Sequence, residues 1–193
     1  LRSSWISGLF ALEYSGLFRI LIPFLAQIRM PIPLGGTSNH FRRAALETTG
    51  GWDPHNVTED ADLGLRLYAH GYRTATLMSA TVETAPTTLK VWGHQRTRWL
   101  KGWAQTWLVA SSTASSISTL HSTLMWIDLA NIGGSYLTFI AMGWRGFTRH
   151  ERLKLKGYWV FLTPAYWLLI SIAGWRAIGQ LVSNAHLWEK TPH

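Results

Sequence analysis

The chain has 193 residues, which is enough for one domain or for a small domain with a membrane anchor. Its 18 Lys and Arg residues against 10 Asp and Glu residues give a formal net charge of +8, and 47% of the residues are hydrophobic. This combination indicates an anionic ligand, lipid head groups or both, and the absence of Cys excludes disulfides and thiolate metal sites. The 12 Trp residues fit a membrane interface and also stacking on sugars.

The first 28 residues are mostly apolar. The chain begins at Leu1 with no initiator Met and no signal-peptide pattern, and we therefore interpret it as a fragment. Residues 5–28 predict a helix, which Pro23 bends or ends. Glu13 and Arg19 would be costly in the middle of a membrane span, so an amphipathic helix on the membrane or against the domain is favoured over a transmembrane helix.

A glycine-rich loop follows an extended connector at residues 31–34. The loop consists of Gly35, Gly36, Thr37, Ser38 and Asn39. Glycines let a backbone approach a ligand closely, and small hydroxyl and amide side chains can then form hydrogen bonds with that ligand. The alternative interpretation is an ordinary turn.

The next segments predict two short helices and a strand. A helix over 42–49 is stopped by Gly50, and a helix over 61–70 is closed by Gly71. Alternation over 72–78 predicts a strand. This order resembles the second half of an α/β domain, and the first half, where a nucleotide would sit, is missing from the chain.

One long helix and a linker are predicted next. Residues 91–110 have a helical pattern with Trp99, Trp103 and Trp107 at steps of four. This stripe fits core packing, an interfacial belt or a sugar platform. Residues 111–119 are rich in Ser and Thr, which predicts a loop or an irregular linker.

An acidic triplet, Thr58-Glu59-Asp60, lies near a predicted helix start. Asp60 suits the role of a general base, since a carboxylate that takes a proton from a hydroxyl contributes roughly 10²- to 10⁴-fold to a rate. The alternative is structural. Acidic residues at helix N-termini commonly bind the free amides and meet the positive end of the helix dipole.

A second cluster stands further along the chain. Gln95, Arg98 and Trp99 fall on one face of the predicted helix, because positions i, i+3 and i+4 are neighbours on a helix surface. A guanidinium matches the oxygens of a phosphate, an indole can stack on a sugar, and an amide can bind either group. The alternative is a basic amphipathic helix whose Arg96, Arg98 and Lys101 meet lipid head groups.

These motifs together carry a resemblance to a known family. The triplet Thr58-Glu59-Asp60, followed by Gln95-x-x-Arg98-Trp99, resembles the C-terminal half of membrane-bound family 2 glycosyltransferases. These are the cellulose-synthase-like and poly-N-acetylglucosamine-synthase-like enzymes. The likeness is dense over residues 10–110, returns over 164–193 and is thin between. The segment Gly36 to Asn39 upstream belongs to the same pattern.

The resemblance implies an α/β fold, namely the second half of a GT-A glycosyltransferase domain followed by interfacial and transmembrane helices. Residues 1–110 would form the acceptor-side half of the catalytic domain with its interfacial helices. Residues 111–123 would be a linker. Residues 124–193 would be a membrane region with two candidate transmembrane helices and a C-terminal tail.

The resemblance also implies roles for residues. Asp60 would be the catalytic base, and a divalent cation, Mg²⁺ or Mn²⁺, would be bound by an Asp-x-Asp motif in the missing first half. Asp60-Ala61-Asp62 has this spelling, but it overlaps the base motif and is not assigned as the metal site. The expected substrate-binding residues are Glu59, Gln95, Arg98, Trp99, Gly36, Thr37, Ser38 and Asn39.

The implied partners are a nucleotide-sugar donor, a glycan acceptor and a lipid bilayer. Nucleic acid is not expected as a partner, because the cations are dispersed along the chain and two apolar segments are present. The implied location is a bacterial inner membrane, crossed several times, with the catalytic part cytoplasmic. Residues 124–144 and 158–182 are long and apolar enough to enter the membrane. The basic loop between them should be cytoplasmic by the positive-inside rule, as should the catalytic part, so the first of these two segments is interpreted as interfacial or re-entrant.

Two functions therefore compete. The first is an inverting glycosyltransferase, a hexosyltransferase that extends a β-linked polysaccharide and of which this piece alone is expected to be inactive. The second is a non-catalytic membrane protein or decayed transferase fragment that binds glycan or anionic lipid through Trp and Arg side chains.

Overall fold

The computed structural model of the protein describes residues 4–77, 79, 81–112 and 137–184. Its helices, in chain order, are α1 (Trp5–Gly16), α2 (Ile22–Gln27), α3 (Arg43–Thr49), α4 (Glu59–Ala69), α5 (Leu89–Ser112), α6 (residues 137–146), α7 (Arg149–Lys154) and α8 (Thr163–Ser183). A π-helical turn, Leu17–Leu21, joins α1 to α2, and a 3₁₀ segment, Gly157–Leu162, leads into α8. Most of the predicted linker at 111–123 lies outside the described residues.

The first helical segment confirms the helix predicted over residues 5–28. Ser4 begins it with a reciprocal cap, in which the Ser4 hydroxyl accepts from the Ser7 amide and the Ser7 hydroxyl accepts from the Ser4 amide. Pro23 does not end the segment. It stands in the first turn of α2, where a missing amide N–H costs little, directly after the π-helical turn.

Both predicted glycine stops are confirmed. Gly50 follows α3 with φ of 78°, and Gly71 follows the end of α4 with φ of 80°. A left-handed backbone of this kind ends a helix without the steric penalty that a β-carbon would bring. Helix α4 begins at Glu59, two residues before the predicted start at Ala61, so Asp60 lies in its first turn.

The strand predicted over 72–78 is wrong for the residues that the structure describes. Residues 72–77 have no regular secondary structure, and no strand occurs in the described ranges. A strand needs a neighbouring strand to satisfy its backbone hydrogen bonds, and an alternating pattern cannot supply that neighbour. The α/β fold class is therefore not confirmed, because the described part of the chain is helical.

The main core lies where α1, α5 and α8 meet the segment around α7. Burying one large apolar side chain contributes about 1.5–3 kcal/mol, so this cluster dominates the packing of the described helices. A smaller cluster of Ala45, Leu63 and Leu67 joins α3 to α4. The main cluster contains Ile6, Leu9, Phe10, Leu12, Trp92, Phe147, Leu155, Trp159 and Tyr166.

Small residues bring α6 close to α1. A β-carbon on Gly143 would collide with Leu12, and one on Gly146 would collide with Ser15. Close backbone approach at small residues is typical of helices that pack in a membrane, although soluble helices use it too. Beyond this contact, Arg19 forms a bidentate ion pair with Glu151, at 2.5 and 2.9 Å.

Among the residues that the structure describes, two helical segments are long and apolar enough to cross a membrane, judged by length and composition alone. They are Trp5–Gln27 and Gly157–Ser183. The second coincides with the membrane segment predicted at 158–182. Of the segment predicted at 124–144, residues 124–136 lie outside the described part, and residues 137–144 belong to α6.

Candidate functional site

The acidic triplet is seated on α5 by the residues just before it. The Asn56 side-chain amide donates to the Thr106 hydroxyl at 3.0 Å, and Asn56 Oδ1 accepts from the Thr58 amide at 2.9 Å. The Thr58 side chain packs against Gly102, in the space that a β-carbon at that position would occupy. The first turn of α4 is thus fixed against the helix that carries the second predicted motif.

The two carboxylate oxygens of Asp60 have different surroundings. Oδ1 accepts from the Ala61 amide at 2.8 Å, which is the helix-terminus contact of the structural interpretation. Oδ2 faces the glycine-rich loop, and a β-carbon on Gly36 would lie 3.4 Å from it. One oxygen therefore anchors the carboxylate and the other is directed at the predicted ligand loop.

Burial raises the pKa of Asp60 above the usual value of an aspartate. Backbone amide hydrogen bonds and the positive charge of Arg98 oppose this rise without cancelling it. The carboxylate is accordingly more basic than an exposed aspartate, which favours proton acceptance. The charge of Arg98, from the second motif, lowers the pKa of Asp60, from the first motif. These two predicted residues are therefore close enough to interact electrostatically.

The polar side chains of the loop hold neighbouring chain segments. The Thr37 hydroxyl donates to Glu83 at 2.5 Å, and the Ser38 and Thr81 hydroxyls are 2.7 Å apart. The Asn39 amide donates to the Gly35 carbonyl. These contacts place the loop beside Asp60 and fasten it to the segment before α5, so its side chains organise the loop itself.

Trp99 lies in an aromatic cluster between α1 and α5. Its ring centroid is 6.1 Å from that of Tyr14, with the two planes 27° apart, and 6.2 Å from that of Phe10. The guanidinium of Arg96 lies 4.9 Å from the Trp99 ring centroid. Trp99 is half-buried, so the residue remains partly accessible.

A buried polar network joins α1, α5 and α8. Arg96 forms two hydrogen bonds to the Glu13 carboxylate, at 2.6 and 2.7 Å. The Tyr166 hydroxyl donates to the same carboxylate at 2.6 Å and lies 3.2 Å from Arg96 Nη2. The indole N–H of Trp92 donates to that hydroxyl at 3.2 Å. Each charged group in the network therefore has an opposite charge or a hydrogen-bond partner.

The Asp60-Ala61-Asp62 spelling does not form a cation site. Asp62 is paired with Arg66 at 2.7 Å, and Arg66 also donates to the carbonyl oxygens of Thr49 and Gly51. Arg66 thus ties α4 to the end of α3, and Asp62 holds the Arg66 guanidinium in place. Across the described ranges, no group of three or more His, Cys, Asp or Glu side chains could hold a metal ion.

The remaining predicted residues lie near this centre without a role that the geometry defines. Glu59 is the first residue of α4, and Gln95 lies one turn before Trp99 on α5; both are half-buried. The alternative in which α5 meets lipid head groups is wrong for two of its three cations. Arg96 is 7% exposed and Lys101 is 1% exposed, and the Lys101 ammonium donates to the Asn184 carbonyl at 2.7 Å.

Glu13, Arg96 and Tyr166 were not predicted from the sequence to form one unit. Glu13 interrupts an apolar segment, and a charge in such surroundings requires a partner. That signal indicates that Glu13 has a partner but does not identify it, because Arg96 is 83 residues and Tyr166 is 153 residues from Glu13 in the chain. Tyr14 and Glu83, which flank Trp99 and the loop, were missed for the same reason.

Comparison with known proteins agrees with these motifs. Residues 1–178 match the family described as glycosyl transferase family group 2. A probable glycosyltransferase, YdaM, of Bacillus subtilis is 44% identical over 68 residues, which are 35% of this chain and 16% of that protein. No solved structure gives a significant match.

Two further relatives differ in the products that their names describe. The beta-monoglucosyldiacylglycerol synthase of a Synechocystis species is 36% identical over 77 residues, which are 39% of this chain and 16% of that protein. The probable glucomannan 4-beta-mannosyltransferase 3 of Arabidopsis thaliana is 36% identical over 73 residues, 37% of this chain and 13% of that protein. Each match spans less than a fifth of the relative. Because the family match covers most of the chain, the protein belongs to glycosyl transferase family group 2.

Proposed function

We propose that this chain forms the acceptor-side part of an inverting glycosyltransferase that moves a sugar from a nucleotide-sugar donor to a growing β-linked glycan at a membrane. The observation that carries the proposal is the placement of Asp60. Its Oδ2 faces the Gly36 loop, burial raises its pKa, and the charge of Arg98 acts on it. A basic carboxylate next to a cation suits proton removal beside a departing anion.

In the proposed reaction, Asp60 takes the proton of the acceptor hydroxyl as that oxygen bonds to the anomeric carbon of the donor. The bond from this carbon to the nucleoside diphosphate breaks, and its electron pair leaves with the diphosphate. Arg98 is suited to balance the resulting charge, since a guanidinium offers a planar pair of donors to phosphate oxygens. Attack opposite the leaving group inverts the anomeric configuration.

Trp99 is the proposed platform for the terminal sugar of the acceptor. An indole presents a flat apolar face to the C–H groups of a sugar ring, and the accessible part of Trp99 belongs to a cluster that fixes its plane. Glu59, Gln95 and the loop from Gly36 through Thr37 and Ser38 to Asn39 remain proposed substrate contacts. A lipid acceptor is the second candidate, favoured by the name of the Synechocystis relative.

The divalent cation that the family implies does not fit the described residues. Asp62, the only carboxylate in an Asp-x-Asp spelling with Asp60, is occupied by Arg66. No step of the proposed reaction is therefore assigned to a metal held by this chain. We propose that the cation, Mg²⁺ or Mn²⁺, is bound by residues outside the described ranges.

The catalytic part is proposed to lie at the cytoplasmic face of a bacterial inner membrane, with Gly157–Ser183 as a span. The segment Trp5–Gln27 has a suitable length, but polar parts of the protein lie beside its middle. The Phe18 ring packs next to Gly35 of the glycine-rich loop, and the Asp60 carboxylate is within electrostatic range of the Tyr14 hydroxyl. Crossing the bilayer here would place a carboxylate near hydrocarbon, which is costly. An interfacial position for this segment avoids that cost.

The decisive experiment replaces Asp60 in the whole protein that contains this chain. We expect Asp60→Asn to lower sugar transfer by roughly 10²- to 10⁴-fold while membrane insertion is unchanged, because the amide cannot accept the proton. The matched control is Asp53→Asn, since the Asp53 carboxylate accepts a local hydrogen bond from the His55 amide that an asparagine can also accept. Retained polymer synthesis by Asp60→Asn would overturn the assignment of Asp60 as the base. Product analysis separates a glycan from a glycolipid.

A further inference from the structure

The buried network around Arg96 is placed beside the proposed acceptor platform. Arg96 has a side chain that is 8% exposed, and its partner Glu13 has one that is 20% exposed. Both glutamate oxygens bind the guanidinium, and the Tyr166 hydroxyl contacts both groups. The guanidinium is therefore held by two other helices, α1 and α8, and cannot turn without breaking several hydrogen bonds.

The same guanidinium packs on the ring of Trp99, 4.9 Å from its centroid. Tyr14, the neighbour of Glu13 on α1, stacks near the same indole. A planar cation over an indole is attracted by the ring electrons and also limits the angles that the ring can adopt. The orientation of Trp99 thus depends on a cation whose own position is set by α1 and α8.

A network of this kind is not required for stability. Replacing a buried ion pair with apolar side chains is often neutral or stabilising, because removing two charges from water is costly. A fully satisfied polar network instead fixes one arrangement of its members. The feature that calls for an explanation is therefore the geometry that this network imposes on the aromatic ring it contacts.

We infer that Glu13, Arg96 and Tyr166 are positioning residues that hold the Trp99 indole in the orientation needed to stack on the acceptor sugar. This inference rests on the proposed function, in which Trp99 is the acceptor platform. It also gives α1 and α8 a role in the reaction, because a displacement of either helix moves Arg96 and with it the indole. Arg96 touches no reacting atom in this scheme.

The test uses Tyr166→Phe and Glu13→Gln in the whole protein in detergent or membranes. Tyr166→Phe keeps the ring and removes one hydroxyl, so it remains informative even where Glu13→Gln leaves the Arg96 charge without its partner and prevents folding. The matched control is Glu151→Gln. It removes the charge from another bidentate arginine pair, with Arg19, which lies in the π-helical turn after α1.

We expect both network variants to raise the acceptor KM roughly tenfold, a cost similar to that of losing one charge-assisted hydrogen bond or a well-oriented cation–π contact. The donor KM should be unchanged. In a Trp99→Ala background, Tyr166→Phe should cause no further loss of transfer, because both changes act through one ring. Glu151→Gln should leave both KM values at wild-type levels.

Other outcomes overturn the inference. Equal effects on donor and acceptor KM would show a general structural tie, and full additivity of Tyr166→Phe with Trp99→Ala would show that the network does not act through the indole. Unchanged acceptor KM in Tyr166→Phe, with a large effect of Trp99→Ala, would refute the inference alone. Normal transfer by both Trp99→Ala and Asp60→Asn would instead refute the proposed function.

Discussion

The side chain of Thr58 occupies the space that a β-carbon on Gly102 would need. This contact is where the start of α4 meets α5. Thr58 is two residues before Asp60, and Gly102 is four residues after Arg98. The contact therefore sets the distance between the proposed base and the cation that lowers its pKa. The hydrogen bond from Asn56 to Thr106 continues the same junction one helical turn further along α5.

We therefore predict that Gly102→Ala lowers kcat by displacing the acidic triplet. The added methyl group collides with Thr58 at atoms next to the backbone, so the first turn of α4 must shift. The control is Gly93→Ala on the same helix, where nothing lies within 4 Å of the added carbon. The control should gain up to about 1 kcal/mol of stability from helix propensity with unchanged kcat. Wild-type kcat in Gly102→Ala would show that the junction does not position Asp60.

The second prediction concerns the pH dependence of transfer. The base must be deprotonated, so activity falls as the pH falls through the pKa of Asp60, and burial moves this acid limb to a higher pH than an exposed aspartate would give. Arg98 lowers this pKa by its charge, so Arg98→Gln should move the limb to higher pH, whatever its effect on the maximal rate. The measurement is kcat/KM against pH.

The control for that profile is Arg43→Gln. Arg43 is paired with Glu47 on the surface of α3, and its side chain is 92% exposed. Its removal should leave the acid limb in place. A limb that stays fixed in Arg98→Gln, or moves equally in both variants, would argue against an electrostatic link between Arg98 and Asp60.

The third prediction tests the placement of the segment Trp5–Gln27. The chain has no Cys, so single cysteines can be introduced as unique labels. With an interfacial segment, Ser4→Cys and Gln27→Cys should both react with a membrane-impermeant maleimide from the cytoplasmic side of inverted vesicles. Labelling of the two positions from opposite sides would show that the segment crosses the membrane.

The fourth prediction concerns acid stability near α7. Hydrogen bonding with Arg19 lowers the pKa of Glu151 to about 2. A carboxyl whose pKa is depressed on folding adds stability above its unfolded pKa, and that stability is lost as the pH falls through the folded pKa. Arg19→Gln should therefore lower Tm at pH 6, with a stability loss of about 0.5–1 kcal/mol for a pair this exposed. The difference from wild type should shrink between pH 4 and about pH 2.

A Tm difference that is constant from pH 6 to pH 2 would assign the effect of Arg19→Gln to packing. The matched comparison is again Arg43→Gln, whose ion pair with Glu47 is more exposed on both sides. Screening by water leaves such a pair with little net contribution to the free energy of unfolding, so removing it should barely change Tm at any pH.

Local signals in the sequence were sufficient for the short-range features. Gly50 and Gly71 end their helices because a left-handed backbone is a property of single residues. The apolar segment at 158–182 is helical for a similar reason, since a long apolar run with few charges suits a helix whatever surrounds it. The prediction of a strand at 72–78 was wrong for the described residues, because a strand depends on a neighbouring strand that local alternation does not provide.

The amino-acid sequence by itself determined the family and the two motifs, because residue types at fixed spacing carry that information. Tertiary structure decided which charges meet. Asp60 faces Gly36, and its pKa is lowered by the charge of Arg98. Asp62 forms an ion pair with Arg66, and Arg96 forms an ion pair with Glu13 instead of meeting lipid. Such pairings join residues far apart in the chain, and they are set by how helices pack around buried charge, which no local pattern encodes.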